Sequence, residues 1–169
     1  MNYVYKLMPS PIGELKLLGS DRGLAAILWK TQKESRIPVL ATTEDPGHPV
    51  LVEAERQLAE YFAGKRKKFD LKLDFVGTDF QKSVWAELLK IPFGETRTYG
   101  QIAKRLGNEN AMRAVGAANG RNPIPIVAPC HRVIGASGSL VGFGGGLKTK
   151  AQLLDLERGE LAFEFDVER

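Results

Sequence analysis

The sequence predicts an α+β fold, with a small antiparallel sheet and one helix in the amino-terminal half and a mostly helical carboxy-terminal half. Two patterns carry this prediction. Apolar and polar residues alternate, as they do in β-strands, only within residues 1–30. From residue 51 onward apolar residues recur at the spacing of helices. The residue pattern changes near residues 74–78, which predicts a domain boundary there, with domains over 1–76 and 77–169.

The first 30 residues are predicted to form an antiparallel meander. Alternation over residues 3–7 and 15–17 indicates two strands, and the turn at 20–23 leads into an apolar run at 24–29. Residues 31–49 are rich in Thr, Pro, Gly and charge, which predicts a long irregular connection.

Three helices are predicted from apolar spacing and stop signals. The first contains Leu51, Ala54, Leu58, Tyr61 and Phe62, and Gly64 ends it. The second is capped by Asp79 and ends at Ile91-Pro92. The last contains Ala151, Leu153, Leu154 and Leu156, and Gly159 closes it.

Between them lies a candidate helix-turn-helix. Thr98 and Gln101 form a capping-box pattern that opens a short helix, and Asn110 is placed to cap a second helix over 111–120. That second helix consists almost entirely of small residues, with Arg113 as its long side chain. Small residues allow close approach to another surface, and on this pattern alone the surface is either DNA or a neighbouring helix.

Composition restricts the function more than it identifies it. One cysteine in 169 residues excludes an internal disulfide and zinc sites built from paired cysteines. The net charge of +4 suits an anionic partner, with the basic run at 65–68 interpreted as a solvated helix end. The chain begins without the apolar core of a signal peptide and has no run of ~18 apolar residues. A soluble protein of the cytoplasm, or of the nucleus in a eukaryote, is expected.

Cys130 is the candidate nucleophile. A free thiol has a pKa near ~8.5, so a nucleophilic cysteine needs a neighbouring base or cation, and His131 and Arg132 follow it directly. The motif alone leaves open a buried structural cysteine. His131 would need a group that orients it, and Glu157 is a candidate acid in a stretch of apolar periodicity, although a surface charge is the simpler interpretation.

Residues 79–159 resemble the O6-alkylguanine-DNA alkyltransferases, or methylated-DNA–protein-cysteine methyltransferases. The matching stretches are Phe80-Gln81 with Val84-Trp85, IPFGETRTYGQIA at 91–103, RAVGAANGRNPIPIVAPCHRVIG at 113–135 and GSLVGFGGGLKTKAQLLDLE at 138–157. The amino-terminal half matches more loosely, mainly in SPIGELKLL at 10–18 and in residues 61–64. The resemblance implies a ribonuclease-H-like first domain and a winged-helix-like second domain.

The resemblance also implies an activity. The protein is expected to flip O6-alkylguanine, and also O4-alkylthymine, out of duplex DNA from the minor groove. It transfers the alkyl group irreversibly to Cys130, acting once, as a monomer without a cofactor. His131 takes the thiol proton through a water, Glu157 orients His131, Asn122 braces the active-site turn, and Tyr99 contacts the target phosphate and approaches the base. Because guanine must leave as a neutral or stabilised species, proton donation to O6 helps, and Tyr99 is the candidate donor.

Further positions carried by the resemblance concern DNA and the base pocket. Arg113 fills the gap that the damaged nucleotide leaves, with Ala114 beside it on the same helix. The pocket wall comprises Leu140, Val141, Gly142 and Phe143. Many relatives carry Tyr where this chain has Phe143, which removes a hydroxyl. Some relatives hold a structural zinc in the first domain, but this chain has no cysteine there, so no metal is expected.

Two other functions are weighed against this one. A non-catalytic binder of alkylated DNA would lack the acceptor cysteine, whereas this chain keeps Cys130 with His131. A cysteine hydrolase unrelated to DNA would explain that pair, but not Arg113, Tyr99 or the helix-turn-helix spacing.

Overall fold

The computed structural model describes residues 2–30, 32, 37, 39–41, 43–138, 140, 143 and 145–165. A small mixed sheet with one helix forms the amino-terminal half, and the carboxy-terminal half is mostly helical. This is the α+β arrangement that the sequence predicts. No helix within the described ranges is long and apolar enough to cross a membrane.

The sheet is built on the predicted meander. Strands β1 (Val4–Met8), β2 (Leu15–Ser20) and β3 (Gly23–Trp29) pair antiparallel in sequence order. A two-residue strand, β4 (Thr43–Glu44), pairs parallel with β1 and gives the spatial order β3-β2-β1-β4. The expectation of a wholly irregular connection over 31–49 is therefore wrong at β4, because two residues are too few to show alternation.

Helix α1 (Pro49–Phe62) forms where the apolar spacing predicts it, and it packs against this sheet. Its first turn is capped by His48, whose ring nitrogen Nδ1 accepts a hydrogen bond from the Val50 backbone N–H at 3.2 Å. Pro49 suits the first helical position, since its missing N–H would have no partner inside the helix. The helix ends where Gly64 takes a positive φ of 75°, a conformation that glycine adopts readily.

Within the described residues four α-helices follow, namely α2 (Asp79–Leu88), α3 (Tyr99–Arg105), α4 (Met112–Gly120) and α5 (Leu147–Glu157). The predicted capping box of Thr98 and Gln101 is confirmed at α3. Two other predicted caps are wrong by one or two residues. Thr78, rather than Asp79, caps α2, and Asn108, rather than Asn110, caps a short 3-10 helix at Glu109–Ala111 that leads into α4.

Two more short strands join the helix-turn-helix to the candidate nucleophile. Strand β5 (Arg97–Thr98) immediately precedes α3, and it pairs parallel with β6 (Val133–Ile134), which immediately follows residues 130–132. The start of α3 is therefore held close to the turn that carries Cys130.

The two halves share one apolar core. The cluster that contains the sheet and α1 also contains buried residues from far along the chain, namely Ile124, Ile126, Val127, Leu153 and Leu156. The backbone N–H of Ile27, in β3, donates a hydrogen bond to the Pro123 carbonyl at 2.8 Å. A second cluster joins α2, α3 and α4 around Trp85 and reaches Cys130. The sheet therefore forms part of the floor under residues 122–132.

Candidate active site

The candidate nucleophile lies on a buried turn, residues 122–132, which we call the active-site turn. Pro123 and Pro125 supply no backbone N–H, so the turn cannot close by a regular hydrogen-bond ladder. The Asn122 side chain substitutes for one: its Oδ1 accepts from Ile124 N–H at 3.0 Å, and its Nδ2 donates to the Ala128 carbonyl at 2.7 Å. Ile126 adopts a φ of +75°, an unfavourable backbone conformation for a β-branched residue.

Cys130 begins a short 3-10 helix, Cys130–Arg132. This helix turns about 120° per residue, because it has about three residues per turn, so the thiol and the imidazole of His131 do not point to opposite faces as they would on a strand. The turn buries Cys130, which is 5% exposed, and buries His131 completely. The thiol is thus held in a largely water-excluded place.

Glu157, at the end of α5, lies beside His131. Oε2 of Glu157 is 2.7 Å from Nε2 of His131 and accepts from Nη2 of Arg132 at 3.0 Å, while Oε1 accepts from Nε of Arg132 at 2.8 Å. The Glu157 side chain is 1% exposed, so the surface-charge interpretation of this residue is wrong.

The electrostatics of the pair favour a neutral imidazole facing a carboxylate. Burial acts to raise the pKa of Glu157, but the hydrogen bonds that it accepts from His131 and Arg132, together with the charge of Arg132, outweigh burial and hold that pKa well below its usual range. Burial is also the largest influence on His131, and it lowers the pKa of the imidazole despite the attraction of Glu157. Glu157 therefore stays ionised while His131 stays neutral at neutral pH.

This arrangement fixes which nitrogen of His131 can accept a proton. A neutral imidazole with Nε2 bonded to a carboxylate carries its hydrogen on Nε2, so Nδ1 is the acceptor. Nδ1 is buried and has no hydrogen-bond partner within the described part of the chain. The ring therefore has a buried basic nitrogen available beside the thiol.

Two further polar side chains lie close enough to sense a charge on Cys130. Burial raises the pKa of the Tyr99 hydroxyl, and a thiolate at Cys130 raises it further, against a hydrogen bond from Asn119. Burial lowers the pKa of Lys150, and a thiolate at Cys130 opposes that shift. Nζ of Lys150 donates to the Val133 carbonyl at 2.6 Å, on the residue that follows the active-site turn.

Sequence reasoning missed Lys150 and one partner of Glu157. Lys150 precedes Leu153, Leu154 and Glu157 by three, four and seven residues, which puts it on the buried stripe of α5. A lysine at such a position was the available signal. The other missed residue is Tyr61, predicted only as part of the apolar face of α1, whose hydroxyl donates to Oε2 of Glu157 at 2.6 Å.

Helix α4 presents the residues expected to meet DNA. One side of this helix buries Val115 and Ala118 against α2 and α3, and Nε1 of Trp85 donates to the Ala118 carbonyl at 2.8 Å. The other side is exposed, and it carries Arg113, Ala114, Ala117, Gly120 and Arg121. The sequence left open whether the small residues face a neighbouring helix or DNA. Small residues lie on both sides of α4: one side packs against neighbouring helices, and the other is an exposed, basic face.

The structure brings Cys130, His131, Glu157, Asn122 and Tyr99 into one neighbourhood, with Arg113 and Ala114 on the exposed face of α4. Of the expected pocket wall, Leu140 and Phe143 are half-buried, and the Phe143 ring packs edge-on against Trp29 with centroids 5.5 Å apart. Val141 and Gly142 lie outside the described residues.

A metal site does not emerge from this neighbourhood. Nowhere in the described ranges do three or more His, Cys, Asp or Glu side chains gather closely enough to hold a metal ion.

Two family models match the chain. Residues 79–159 match the DNA-binding domain of 6-O-methylguanine DNA methyltransferase, and residues 3–75 match its ribonuclease-like domain. A methylated-DNA–protein-cysteine methyltransferase of Methanosarcina acetivorans is 51% identical, covering 90% of this chain and 97% of the relative. The protein of the same name from Mycobacterium tuberculosis strain H37Rv is also 51% identical, covering 91% of this chain and 92% of the relative.

Solved structures agree with these matches. A crystal structure of Mycobacterium tuberculosis OGT in complex with DNA superposes with a TM-score of 0.84 at 49% identity, covering 96% of each chain. An O6-methylguanine DNA methyltransferase from Methanococcus jannaschii superposes with a TM-score of 0.67 at 30% identity, covering 95% of this chain and 98% of the other. Because this chain is 51% identical to the Methanosarcina acetivorans and Mycobacterium tuberculosis methyltransferases over nine-tenths of its length, it belongs to the methylated-DNA–protein-cysteine methyltransferase family.

Proposed function

We propose that this protein repairs alkylated DNA by transferring an alkyl group from O6 of guanine to Sγ of Cys130, once per molecule. The observation that carries the proposal is the buried His131–Glu157 pair beside the chain's only thiol. The names of its relatives support methylated DNA as the substrate and cysteine as the acceptor, and the Mycobacterium tuberculosis structure supports DNA as the partner.

The first step is activation of the thiol. The proton of Cys130 moves to Nδ1 of His131, through one water in the manner of the family, and Glu157 stabilises the resulting imidazolium. Lys150 adds positive charge near the thiolate, and Arg132 holds Glu157 in place through two hydrogen bonds. Because the site is buried, few water molecules can solvate the thiolate, and a thiolate that is less solvated is a stronger nucleophile.

The second step is displacement at the alkyl carbon. The thiolate forms a C–S bond while the C–O6 bond breaks, and that electron pair goes to the guanine. Because burial raises the pKa of Tyr99, its hydroxyl keeps its proton at neutral pH and can donate it to the departing base. The proton that His131 took from Cys130 then passes through solvent to the Tyr99 oxygen and restores the hydroxyl. The thioether product has no easy reverse step, so each molecule acts once.

Access to O6 requires the damaged nucleotide to leave the duplex. The small residues on the exposed face of α4, Ala114 and Ala117 among them, allow the helix to lie close in the minor groove. Arg113 occupies the gap in the base stack, and Tyr99 contacts the target phosphate. Flipping costs a few kcal/mol, which the inserted side chain and the phosphate contacts offset.

The flipped base enters a pocket walled by Leu140 and Phe143. O4-alkylthymine presents the same alkyl-oxygen geometry and is a second substrate. The proposal takes a monomer as the acting unit, with domains over 1–76 and 77–169, in the manner of the family.

Mapping the alkyl group after reaction tests this function. The protein is incubated with duplex DNA carrying labelled O6-methylguanine and then digested. We expect the label on the Cys130 peptide, at no more than one equivalent, with none transferred by Cys130→Ala although that variant still binds the lesion. Binding without transfer by the parent protein identifies a non-catalytic binder, and neither binding nor transfer points to a hydrolase unrelated to DNA.

The role of Arg113 is tested by comparing two arginines on the same exposed face. Arg113→Ala should slow repair of duplex DNA about tenfold or more, since it loses the group that holds the gap open, and should spare reaction with the free modified base. Arg121→Ala removes the same charge and should have a smaller effect on duplex repair. Equal losses in the two variants, or equal losses on duplex and free base, contradict this role.

A further inference from the structure

The Glu157 carboxylate receives a hydrogen bond from the other half of the molecule. Tyr61 lies in the last turn of α1, 96 residues before Glu157, and its Oη is 2.6 Å from Oε2. Tyr61 is 1% exposed. Burial, followed by the charge of Glu157, raises the pKa of this phenol well above its usual value, so it remains a donor at any pH at which the protein functions.

Packing leaves the Tyr61 hydroxyl little freedom. Its ring lies against Phe62, Phe69 and Phe93, with centroid distances of 5.6, 5.5 and 6.3 Å. Phe93 belongs to the connection between α2 and α3, and Gly94 beside it donates its backbone N–H to Oε1 of Glu157 at 3.4 Å. The aromatic group therefore fixes the direction from which the phenol approaches the carboxylate.

Tyr61 and His131 use the same carboxylate oxygen. Oε2 accepts from Oη of Tyr61 at 2.6 Å, from Nε2 of His131 at 2.7 Å and from Nη2 of Arg132 at 3.0 Å. Donors that share one oxygen draw on the same negative charge, and each bond is weaker than it would be with fewer competitors. The phenol therefore reduces the attraction that Glu157 exerts on a protonated His131.

We propose that Tyr61 is a positioning residue for alkyl transfer, through which the amino-terminal half limits the basicity of His131 by competing for Oε2 of Glu157. The proposal rests on the proposed function of Cys130 and His131. It gives the amino-terminal half a defined task, because Tyr61 sets the strength of the base that activates the thiol.

The other groups around His131 act in known directions. Glu157 stabilises the imidazolium, whereas Arg132 and Lys150 disfavour it through their positive charges. Cys130 is the neighbour whose proton His131 receives. Tyr61 is neutral, so its influence passes through the carboxylate alone, and removing its hydroxyl changes no formal charge in the site.

Tyr61→Phe tests the proposal, because it keeps the ring and removes the donor. We expect the pKa of His131, followed by NMR of the labelled imidazole in the free full-length protein, to rise by about half to one pH unit. The acid limb of the rate of alkyl transfer should move to higher pH by a similar amount. The signals of His48, the only other histidine, should coincide in the two proteins at every pH.

A matched control separates positioning from stability. Leu51→Ala removes a fully buried side chain of the same helix, ten residues before Tyr61, and should lower the stability while leaving the His131 curve in place. A Tyr61→Phe protein whose His131 curve superposes on that of the parent, or moves to lower pH, overturns the proposal.

A second measurement keeps Tyr61 and so does not require the Tyr61→Phe variant to fold. Incorporation of 3-fluorotyrosine in a Tyr99→Phe background makes the phenol of Tyr61 a stronger donor, so the pKa of His131 should fall instead of rise. An unchanged or raised pKa contradicts the proposal. Both titrations are made without DNA, so failure of alkyl transfer to Cys130 would leave the His131 result standing and would refute only the proposed function.

Discussion

Two histidine–carboxylate pairs of nearly equal length lie in different regions of the molecule. Nε2 of His48 is 2.8 Å from Oδ1 of Asp21, where the turn after β2 meets the start of α1, and Nε2 of His131 is 2.7 Å from Oε2 of Glu157. The Asp21 side chain is 99% exposed, whereas that of Glu157 is 1% exposed. Water screens the first pair, so the difference in their chemistry comes from burial rather than from distance.

The two histidines also differ in what their second nitrogen does. Nδ1 of His48 accepts the Val50 N–H and caps α1, so both of its nitrogens serve the fold. Nδ1 of His131 is buried with no hydrogen-bond partner among the described residues. The first pair holds an element in place, and the second keeps a base available for a reaction.

The largest expected effect comes from Glu157→Gln. An amide in place of the carboxylate leaves Arg132 buried without an anion and gives His131 no charge to stabilise its protonated form. We expect alkyl transfer to slow by at least about a hundredfold and the free energy of unfolding to fall by about 3–5 kcal/mol. Single-turnover kinetics and urea unfolding measure the two losses. Transfer at the parent rate would refute the role of the buried pair.

Lys150→Met should have the next largest effect. It removes a buried positive charge near Cys130 and the hydrogen bond to the Val133 carbonyl. The thiolate then forms at higher pH, so the transfer rate at neutral pH should fall about tenfold, with part of that loss recovered at alkaline pH. Lys148→Met, at an exposed position of the same helix, is the matched control and should change little. Similar losses in both variants would mean that the charge of α5 as a whole matters.

Stability should fall on acidification. The folded protein holds the pKa of His131 below its usual value, so below about pH 6.5 the unfolded chain binds a proton that the folded chain refuses. The contribution is complete above pH 6.5 and is lost toward lower pH, by up to about 1.4 kcal/mol per pH unit for one proton. Glu157, with its lowered pKa, adds a loss in the same direction below about pH 4.3. Urea unfolding at pH 7.5 and 5.5 should show the first loss, and His131→Gln should flatten it; an unchanged slope in that variant assigns the proton elsewhere.

The smallest expected effect comes from Asp21→Asn, the counterpart of Glu157→Gln. Because the Asp21 carboxylate is exposed, its loss should change the free energy of unfolding by no more than about 0.5 kcal/mol and leave the transfer rate unchanged. Thermal unfolding and single-turnover kinetics provide the measurement. A loss comparable to that of Glu157→Gln would show that burial does not distinguish the two pairs.

The sequence predicted the elements whose pattern is local. The meander and α1 to α5 have enough residues to show alternation or helical spacing, and the capping box of α3 is a four-residue signal. Strands β4, β5 and β6 have two residues each, and their pairing depends on contacts with distant segments. They were beyond prediction from periodicity for that reason.

The residues of the site also differ in whether a local sequence pattern reveals them or only contacts between distant segments do. Cys130 and His131 are neighbours in sequence, so their motif is visible directly. The residues offer Glu157 as a candidate to orient His131 but favour a surface charge. The family resemblance is needed to decide, because the contact of Glu157 with His131 depends on how α5 packs, 26 residues away. Tyr61 and Lys150 occupy positions on apolar stripes. Packing explains the ring of Tyr61 without reference to function, whereas a lysine on such a stripe is a signal that does not name its partner. Their polar atoms acquire a role only when distant helices meet.

The apolar core that passes through both halves limits which segments can be exchanged between relatives, by recombination or by engineering. Ile124, Ile126 and Val127 pack in the same cluster as Leu24 and Ile27 of the sheet. An exchange of halves between two relatives at residue 76 would therefore separate side chains that are fitted to each other directly beneath the reactive cysteine. Chimeras should keep their repair activity only when the sheet and residues 122–132 are inherited together, so these two distant stretches form one unit of exchange.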